Sequence, residues 1–366
     1  MTSHRPLDPG GHPDRAPDRG PDRGQDRSQD RGRADGRQAP GGGPAAGDRP
    51  SPGGDRPARS VADPPALRPG DIARPYTERT GRVAAARRLT KRPARESARE
   101  FLAEGPQAVR EALTSALARP GLVRALLGTE EALDRHPDLA ILAGQAAVPV
   151  SPITPRAAGG LSETTTPQGL VAVCRFLDVP LAAAFGDSPP RLAAVLVAVR
   201  DPGNAGTVLR TADAAGAGVL VLASDSVDPY NGKAVRASAG SLFHVPLVRG
   251  ADLGATVQAA RAAGLAVLAA DASGETDLDD LADRGALAPP TAWLFGNEAH
   301  GLPPETARRA DARVRIRIHG RAESLNLAAA AAVCLFASAR AQRPAAGNRP
   351  GKIANSGAPV PPRAMP

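Results

Sequence analysis

Three short polar loops carry the side chains with the most chemistry in this 366-residue chain. The first, Arg200-Asp201-Pro202-Gly203-Asn204, follows the apolar run Val195–Val199 and enters a helical stretch bearing Arg210. The second, Phe295-Gly296-Asn297-Glu298, follows Trp293-Leu294-Phe295 and continues to His300 and Gly301. The third leaves Ile316-Arg317-Ile318, passes Gly320 and reaches Ser324-Leu325-Asn326, where an Ala-rich helix begins. Polar loops that leave buried parallel strands share one edge of the sheet, the carboxyl edge where such sheets bind ligands. A carboxylate, a guanidinium and side-chain amides gathered there can orient a hydroxyl and steady charge that develops on oxygen. Arg210 itself is a poor proton acceptor, because a guanidinium has a pKa above about 12. Each of these residues also has an ordinary structural reading: Asn204 as a helix N-cap, Arg210 as a surface cation, Glu298 as a capping carboxylate before Pro303-Pro304-Glu305, and Ser324 and Asn326 as caps of the Ala-rich helix.

The elements that must position these loops follow from hydrophobic patterning. Leu192–Val199 is continuously apolar and Val-rich, which predicts a central parallel strand. Further strands are expected at Gly218–Ala223, Leu265–Ala270, Trp293–Phe295 and Ile316–Ile318, and helices at Ala205–Ala215, Asp252–Ala263, Leu278–Arg284 and 327–339. No Gly-x-Gly-x-x-Gly follows Leu192–Val199, which argues against a standard dinucleotide fold. Upstream, residues 78–186 alternate in the same way: a short helix near Val83–Leu89 limited by Pro93, a strand at Phe101–Ala103, a helix over Gln107–Ala118, a strand at Leu122–Leu127, a helix at Thr129–Arg135, and a buried strand at Gly169–Cys174. That alternation makes a small α/β domain, joined through the turn-rich linker Phe185–Pro190 to a second domain over residues 191–342.

Composition adds bounds. The formal net charge is +8, which favours a polyanionic partner; a high-GC coding sequence, rich in Arg, Ala, Gly and Pro, accounts for the bulk composition equally well. The Arg- and Lys-dense run Arg82–Arg99 reads either as a solvated face or as a polyanion contact. Only 2% of residues are aromatic, too few for base stacking to be a main recognition device. Cys174 and Cys334 sit in separate apolar segments, as buried thiols of a reducing compartment do. No apolar run reaches the roughly 18 residues of a membrane helix, and residues 1–30 lack a signal-peptide core, so a soluble cytoplasmic protein with no membrane partner is expected. Residues 1–75, built on Asp-Arg-Gly and Pro-Asp-Arg units, and the end from Arg343 are too poor in apolar residues to offset ordering entropy and are expected to be disordered.

The segments DPGNAGTVLRTADAAG, LFGNEAHGLP and IRIHGRAESLNLAAAAA, in this order, resemble the three motifs of the SpoU (TrmH-like) RNA 2′-O-ribose methyltransferases. The resemblance runs from Arg79 to about Arg340. It implies a parallel-sheet α/β catalytic domain whose carboxyl-terminal segment threads a trefoil knot, S-adenosylmethionine as methyl donor, no metal, and a homodimer. Carried onto this chain, it makes Asn204, Arg210, Glu298, Ser324 and Asn326 catalytic, with Gly296, Ile316 and Leu325 around the donor. The phrases FLAEGPQAVREAL and TPQGLVAV resemble the ribosomal-protein-like domain that grips RNA in many of these enzymes. That resemblance favours RNA contact by Arg87, Arg88, Lys91 and Arg92, and KAVRASAG, with Lys233 and Arg236, resembles the segment at the active-site mouth, where phosphate contact and plain solvation stand even. His244 reads as a packed or capping histidine rather than a catalyst. Ribosomal RNA is the expected substrate. Transfer RNA, an antibiotic-resistance methylase of ribosomal RNA, a non-catalytic RNA-binding protein that retains the fold, and a nucleotide-dependent α/β enzyme acting on small molecules are the alternatives.

Overall fold

The computed structural model describes residues 74–343; the terminal segments expected to be disordered lie almost wholly outside them. The front half contains α1 (Gly81–Arg88), α2 (Arg92–Ala98), β1 (Glu100–Glu104), α3 (Pro106–Ala118), β2 (Val123–Gly128), α4 (Glu130–Arg135), α5 (Pro137–Gln145), β3 (Val150–Pro152), α6 (Pro155–Leu161) and β4 (Leu170–Arg175). Its sheet has the order β1-β4-β2-β3, with β4 antiparallel to both neighbours and β2 parallel to β3. Helix α1 stops at Arg88, short of Pro93, which occupies the first turn of the separate α2, where a missing N–H costs nothing. Helices α5 and α6 are additional to the elements expected there.

The second half contains α7 (Leu181–Ala184), β5 (Leu192–Leu196), α8 (Pro202–Ala215), β6 (Val219–Ala223), α9 (Gly232–Ser238), β7 (Leu247–Ala251), α10 (Leu253–Ala262), β8 (Ala266–Ala270), β9 (Thr276–Asp277), α11 (Leu278–Asp283), β10 (Thr291–Phe295), α12 (Pro304–Ala307), β11 (Ala312–Arg315) and α13 (Leu327–Ala341). Seven strands form one sheet in the order β7-β6-β5-β10-β8-β11-β9, and every pairing in it is parallel. Strands β5, β6 and β10 are buried along their whole length, as strands covered on both faces must be. The strand expected at Ile316–Ile318 is instead Ala312–Arg315. Val314 supplies its buried anchor, whereas Arg315 and Arg317 are drawn to Asp277 at 3.6 and 3.0 Å, which turns the chain out of the sheet at Ile316. Strand β7 and the two-residue β9 are further elements that patterning did not indicate.

The carboxyl-terminal helix is tied under the sheet by Trp293, fully buried, whose Nε1 donates to Ser338 Oγ at 2.9 Å. Cys334 on the same helix is a free buried thiol whose pKa burial pushes up to about 12, and burial also raises that of Cys174 on β4. Helices α8 and α9 touch at Gly206, where a Cβ would stand 2.3 Å from the Ala234 carbonyl oxygen.

The two sheets share a core. Phe243, Phe101, Tyr230 and Phe176 follow one another, with ring centroids 6.1 Å apart for Phe243–Phe101, 4.7 Å for Phe101–Tyr230 and 4.0 Å for Tyr230–Phe176. Arg99 and Arg249 cover the Phe176 ring at 4.7 and 4.9 Å, in the range of cation–π contact. The few aromatic residues are thus largely internal, leaving little surface for stacking bases. Arg95, from the basic run, is 3% exposed and donates Nε and Nη2 to Asp228 Oδ2 at 3.0 and 2.7 Å. Its Nη1 donates to the Leu89 and Thr90 carbonyls.

His244 also bridges the halves, with Nδ1 2.8 Å from Asp213 on α8 and Nε2 3.1 Å from Glu111 on α3. Partial burial alone would lower its pKa, but the two carboxylates outweigh this and raise it. A raised pKa in the folded state stabilises below the unfolded value and loses that contribution as pH rises through the folded one. The expected result is that His244→Gln lowers the urea midpoint at about pH 5.5 and converges on the parent protein at about pH 9; equal destabilisation at both would show that the imidazolium is not the clamp.

Candidate active site

Asp201 and Pro202 begin α8: the Asp201 carboxylate accepts from Asn204 N at 2.8 Å, and Pro202 takes the first helical turn. Asp201, not Asn204, is therefore the N-cap, which leaves the Asn204 side chain free to reach across the sheet edge. Its Nδ2 donates to Glu298 Oε1 at 3.2 Å, and its Oδ1 accepts from Asn326 Nδ2 at 3.2 Å. One amide thus joins the loops that follow β5, β10 and β11. Asn326 fills two roles, because its own Oδ1 caps α13 by accepting from Ala328 N at 2.8 Å.

Glu298 faces the start of α8 rather than the Pro303 turn. Its carboxylate accepts from Arg200 N, Asp201 N and Asn204 Nδ2, each at 3.2 Å. Desolvation would raise its pKa, but these hydrogen bonds and that of its own backbone outweigh it and hold the group below the usual carboxylate range. Such a carboxylate stays ionised and is a weak base; it is suited to holding geometry.

Gly296 is buried and cannot be replaced without distortion, for a Cβ would lie 2.2 Å from the Gly301 carbonyl carbon. That space is filled by the chain's own turn, in which Asn297 and Gly301 exchange backbone hydrogen bonds of 2.9 Å. Asn297, which sequence reasoning did not single out, fastens this turn to the neighbouring loop by donating Nδ2 to the Ala198 carbonyl at 2.8 Å. Ala198 has φ of 53°, a left-handed conformation unusual for a residue with a Cβ. Asp201 and Asp277 were missed as well. The Asp-Pro pair was a legible helix-start signal for the first; nothing local marked the second, whose partners are Arg315 and Arg317.

Arg210 and Ser324 are exposed, and neither makes a hydrogen bond or ion pair among the described residues to Asn204, Glu298 or Asn326. Ile316 is half-buried and Leu325 is 39% exposed. The backbone of residues 319–325 makes no backbone hydrogen bond among the described residues. Lys233 reaches the first loop through Asp201 Oδ2 at 2.6 Å, and this ion pair leads the causes that lower the Asp201 pKa. Arg236 instead bonds Glu104 of β1 at 3.0 Å and links the two halves. Arg87, Arg88 and Lys91 are exposed with no ion-pair partner among the described residues, while Arg92 lies 3.8 Å from Glu96.

Residues 191–336 match the model of the SpoU rRNA Methylase family, and residues 81–172 match an MRM3-like substrate binding domain. The chain is 33% identical over 251 residues to the 23S rRNA (guanosine(2553)-2′-O)-methyltransferase RlmP of Bacillus subtilis (strain 168), a match covering 68% of this chain and 92% of that protein. It is 40% identical over 144 residues to the 23S rRNA (uridine(2479)-2′-O)-methyltransferase of Streptomyces viridochromogenes, covering 38% of this chain and 49% of that one. Among solved structures, the AdoMet-bound rRNA methyltransferase from Sinorhizobium meliloti aligns with a TM-score of 0.61 at 32% identity, covering 71% of this chain and 95% of that one. The SpoU methyltransferase AviRb from Streptomyces viridochromogenes in complex with AdoMet aligns with a TM-score of 0.60 at 31% identity, covering 72% and 98%. On the sheet order, the joined loops and these matches, the chain belongs to the SpoU rRNA methylase family.

Proposed function

We propose that this protein transfers a methyl group from S-adenosylmethionine to a ribose 2′-hydroxyl of ribosomal RNA. The observation that carries the reading is the junction of three loops through Asn204, beside a segment whose backbone is unpaired and whose Ile316 and Leu325 are apolar. Those features fit the donor: adenine needs an apolar slot with main-chain partners, and a sulfonium is compatible with the nearby Glu298 carboxylate. The bound donor supplies an electrophilic methyl on a cationic sulfur. The methyl would pass from sulfur to the ribose 2′-oxygen as the carbon–sulfur bond breaks, and the 2′-proton would be released to water, since Glu298 is held as a weak base and Arg210 is a poor acceptor. The departing thioether is neutral, so the chemistry requires neither a metal nor a covalent intermediate; positioning and stabilisation of the alkoxide carry the rate. Asn204, Glu298 and Asn326 hold the geometry, Arg210 steadies the alkoxide or the adjacent phosphate, and Ser324 contacts the donor or that phosphate. Gly296 keeps the second loop in its turn.

Residues 78–186 form the RNA-gripping domain in this reading, through Arg87, Arg88, Lys91 and Arg92, and residues 191–342 form the transferase. Lys233 stands at the mouth of the site. Strand β10 lies between β5 and β8, and the chain then crosses to β11 before α13 packs against α8, β5 and β10; this order supports a trefoil-knotted chain end. Val333 and Phe336, one turn apart on α13, are 41% and 49% exposed, and such an apolar face supports a homodimer. No helix among the described residues is long and apolar enough to cross a membrane, and we place the protein in the cytoplasm with its RNA.

The test is transfer of labelled methyl from the donor to ribosomal RNA from an organism lacking the modification, with the methylated nucleotide mapped by mass spectrometry. Label retained at a single 2′-O position is expected; donor binding without transfer to any RNA would leave an RNA-binding protein. Arg210→Ala is expected to keep donor binding by calorimetry and to lose turnover about a hundredfold, the usual effect of removing one stabiliser of an oxyanion. Normal turnover in that variant would remove Arg210 from the site.

A further inference from the structure

A cavity of about 220 Å³ opens between α2 of the front half and the carboxyl ends of β6 and β7. Its lining includes Arg92, Ser224, Ser226, Asp228, Arg249 and Gly250. None of Asn204, Glu298 or Asn326 lines it, yet it lies on the same sheet edge, because every strand of the sheet is parallel. We infer that this cavity seats one backbone phosphate of the RNA strand, beside the methyl-transfer site and distinct from it; the inference rests on RNA being the substrate.

Charge and chemistry point that way. Arg249 is fixed in place by Glu96, by the Phe176 and Tyr230 rings, and by packing that leaves its Nε buried with no hydrogen-bond partner. Arg92 stands opposite on α2, with its side chain 60% exposed. Three carboxylates lie close, and all are engaged. Asp228 accepts from Arg95 and from Tyr230 N, Glu96 is shared by Arg92 and Arg249, and Asp178 pairs with Arg99 at 2.9 Å and stands 3.9 Å from Arg249 Nε. Arg92, Arg95, Arg99 and Arg249 against Glu96, Asp178 and Asp228 leave one positive charge in excess, matching one phosphodiester. Ser224 is exposed at the rim, its hydroxyl donating to the Ala251 carbonyl at 3.0 Å, and Gly250 at φ of 69° adds backbone without a side chain in the way. Arginines and main chain are groups that hold phosphate without reading sequence. Arg87, Arg88 and Lys91, which precede Arg92 in the same basic run, are exposed as well.

Arg92→Ala and Ser224→Asp test this without disturbing a buried group. The probe is a fluorescein-labelled fragment of ribosomal RNA, titrated at several salt concentrations with the full chain. Loss of one phosphate contact makes the slope of log affinity against log salt shallower by about 0.7 and weakens binding about fivefold at low salt. Ser224→Asp, which brings a negative charge to the catalytic half, is expected to weaken binding at least as much, and the double variant no more than the worse single one. Arg87→Ala, outside the cavity, combines additively with either. Donor binding by calorimetry stays at the parent value in all of them. Additive Arg92 and Ser224 effects, an unchanged slope in Arg92→Ala, or indifference to Ser224→Asp would each overturn the assignment while leaving RNA methylation standing. Failure of the parent chain to bind any RNA would overturn the functional reading itself. Tight calorimetric binding of inorganic phosphate that does not compete with RNA would mark a free-anion site and equally overturn the inference.

Discussion

Asn204→Ala slows methyl transfer about a thousandfold, with donor affinity and fold retained. The side chain makes two inter-loop hydrogen bonds, to Glu298 and Asn326. As structural contacts these are worth about 1 kcal/mol each, too little to unfold a domain with so extensive a core. Their effect on rate is larger. They fix the relative position of the loops after β5, β10 and β11, and misplacing reacting groups by about 1 Å costs about a hundredfold. Losing two of the five hydrogen bonds that join these loops, among them the tie to Asn326, brings the expected loss to about 4 kcal/mol of barrier. Asn204→Asp is the sharper variant. It sets a second carboxylate about 3.2 Å from Glu298, and two carboxylates that close share a proton. At neutral pH the loops repel one another; as pH falls, a protonated Asp can donate to Glu298 and restore the tie. Residual turnover of Asn204→Asp should therefore rise toward acid relative to the parent enzyme, while that of Asn204→Ala should not. Single-turnover rates of the two variants between about pH 5.5 and 8 decide the matter. A drop of less than about tenfold in Asn204→Ala would show that the junction is packing and not catalysis.

The loops of that junction were legible because their parts are local. An apolar run followed by Gly and then Asn or Glu describes a strand ending in a polar loop, and parallel strands send such loops to one edge. The strand at Trp293–Phe295 and the helix after Asn326 needed no more than this, whereas the resemblance singles out Asn204 and Glu298, since the local pattern alone reads them as capping residues. What escaped depends on distant partners. The alternation of Ile316 and Ile318 reads as a strand, but Asp277 holds Arg315 and Arg317, the latter 40 residues away, and β11 ends at Arg315, before the expected strand begins. Strand β7 carries Arg249 and Gly250 inside it, which breaks the apolar signature; the Phe176 and Tyr230 rings under Arg249 justify that arginine, and they come from two separate segments. Resemblance placed Arg210 and Ser324 in the site, yet the chain alone gives them no partner at Asn204, Glu298 or Asn326. Their expected partners, RNA and the methyl donor, are not part of the polypeptide.

Arg95 shows the same limit with a large energetic consequence. In sequence it is one more cation in the run from Arg82 to Arg99, where a solvated face is the default reading. In the fold it is 3% exposed and bonded to Asp228, itself 4% exposed, which lies 133 residues away in the other half of the chain. Removing one member of a buried pair leaves the other charged and unpaired, at a cost of about 3–5 kcal/mol. Arg95→Ala also orphans the Leu89 and Thr90 carbonyls, so the upper part of that range is expected. For the two sheets, which share one core and should unfold together, this amounts to a fall of about 10 °C in the melting midpoint. Replacing both partners by apolar residues removes the stranded charge, and Arg95→Met with Asp228→Leu should recover more than half of the loss. Urea unfolding of the two singles and the double separates the contributions. If Arg95→Ala loses less than about 1 kcal/mol, or if the double is worse than either single, the pair is not what clamps α2 to the catalytic half. If it does clamp α2, the variant that still folds should show a raised KM for RNA with an unchanged donor affinity, because the basic helix and the sheet edge would no longer be held in one register.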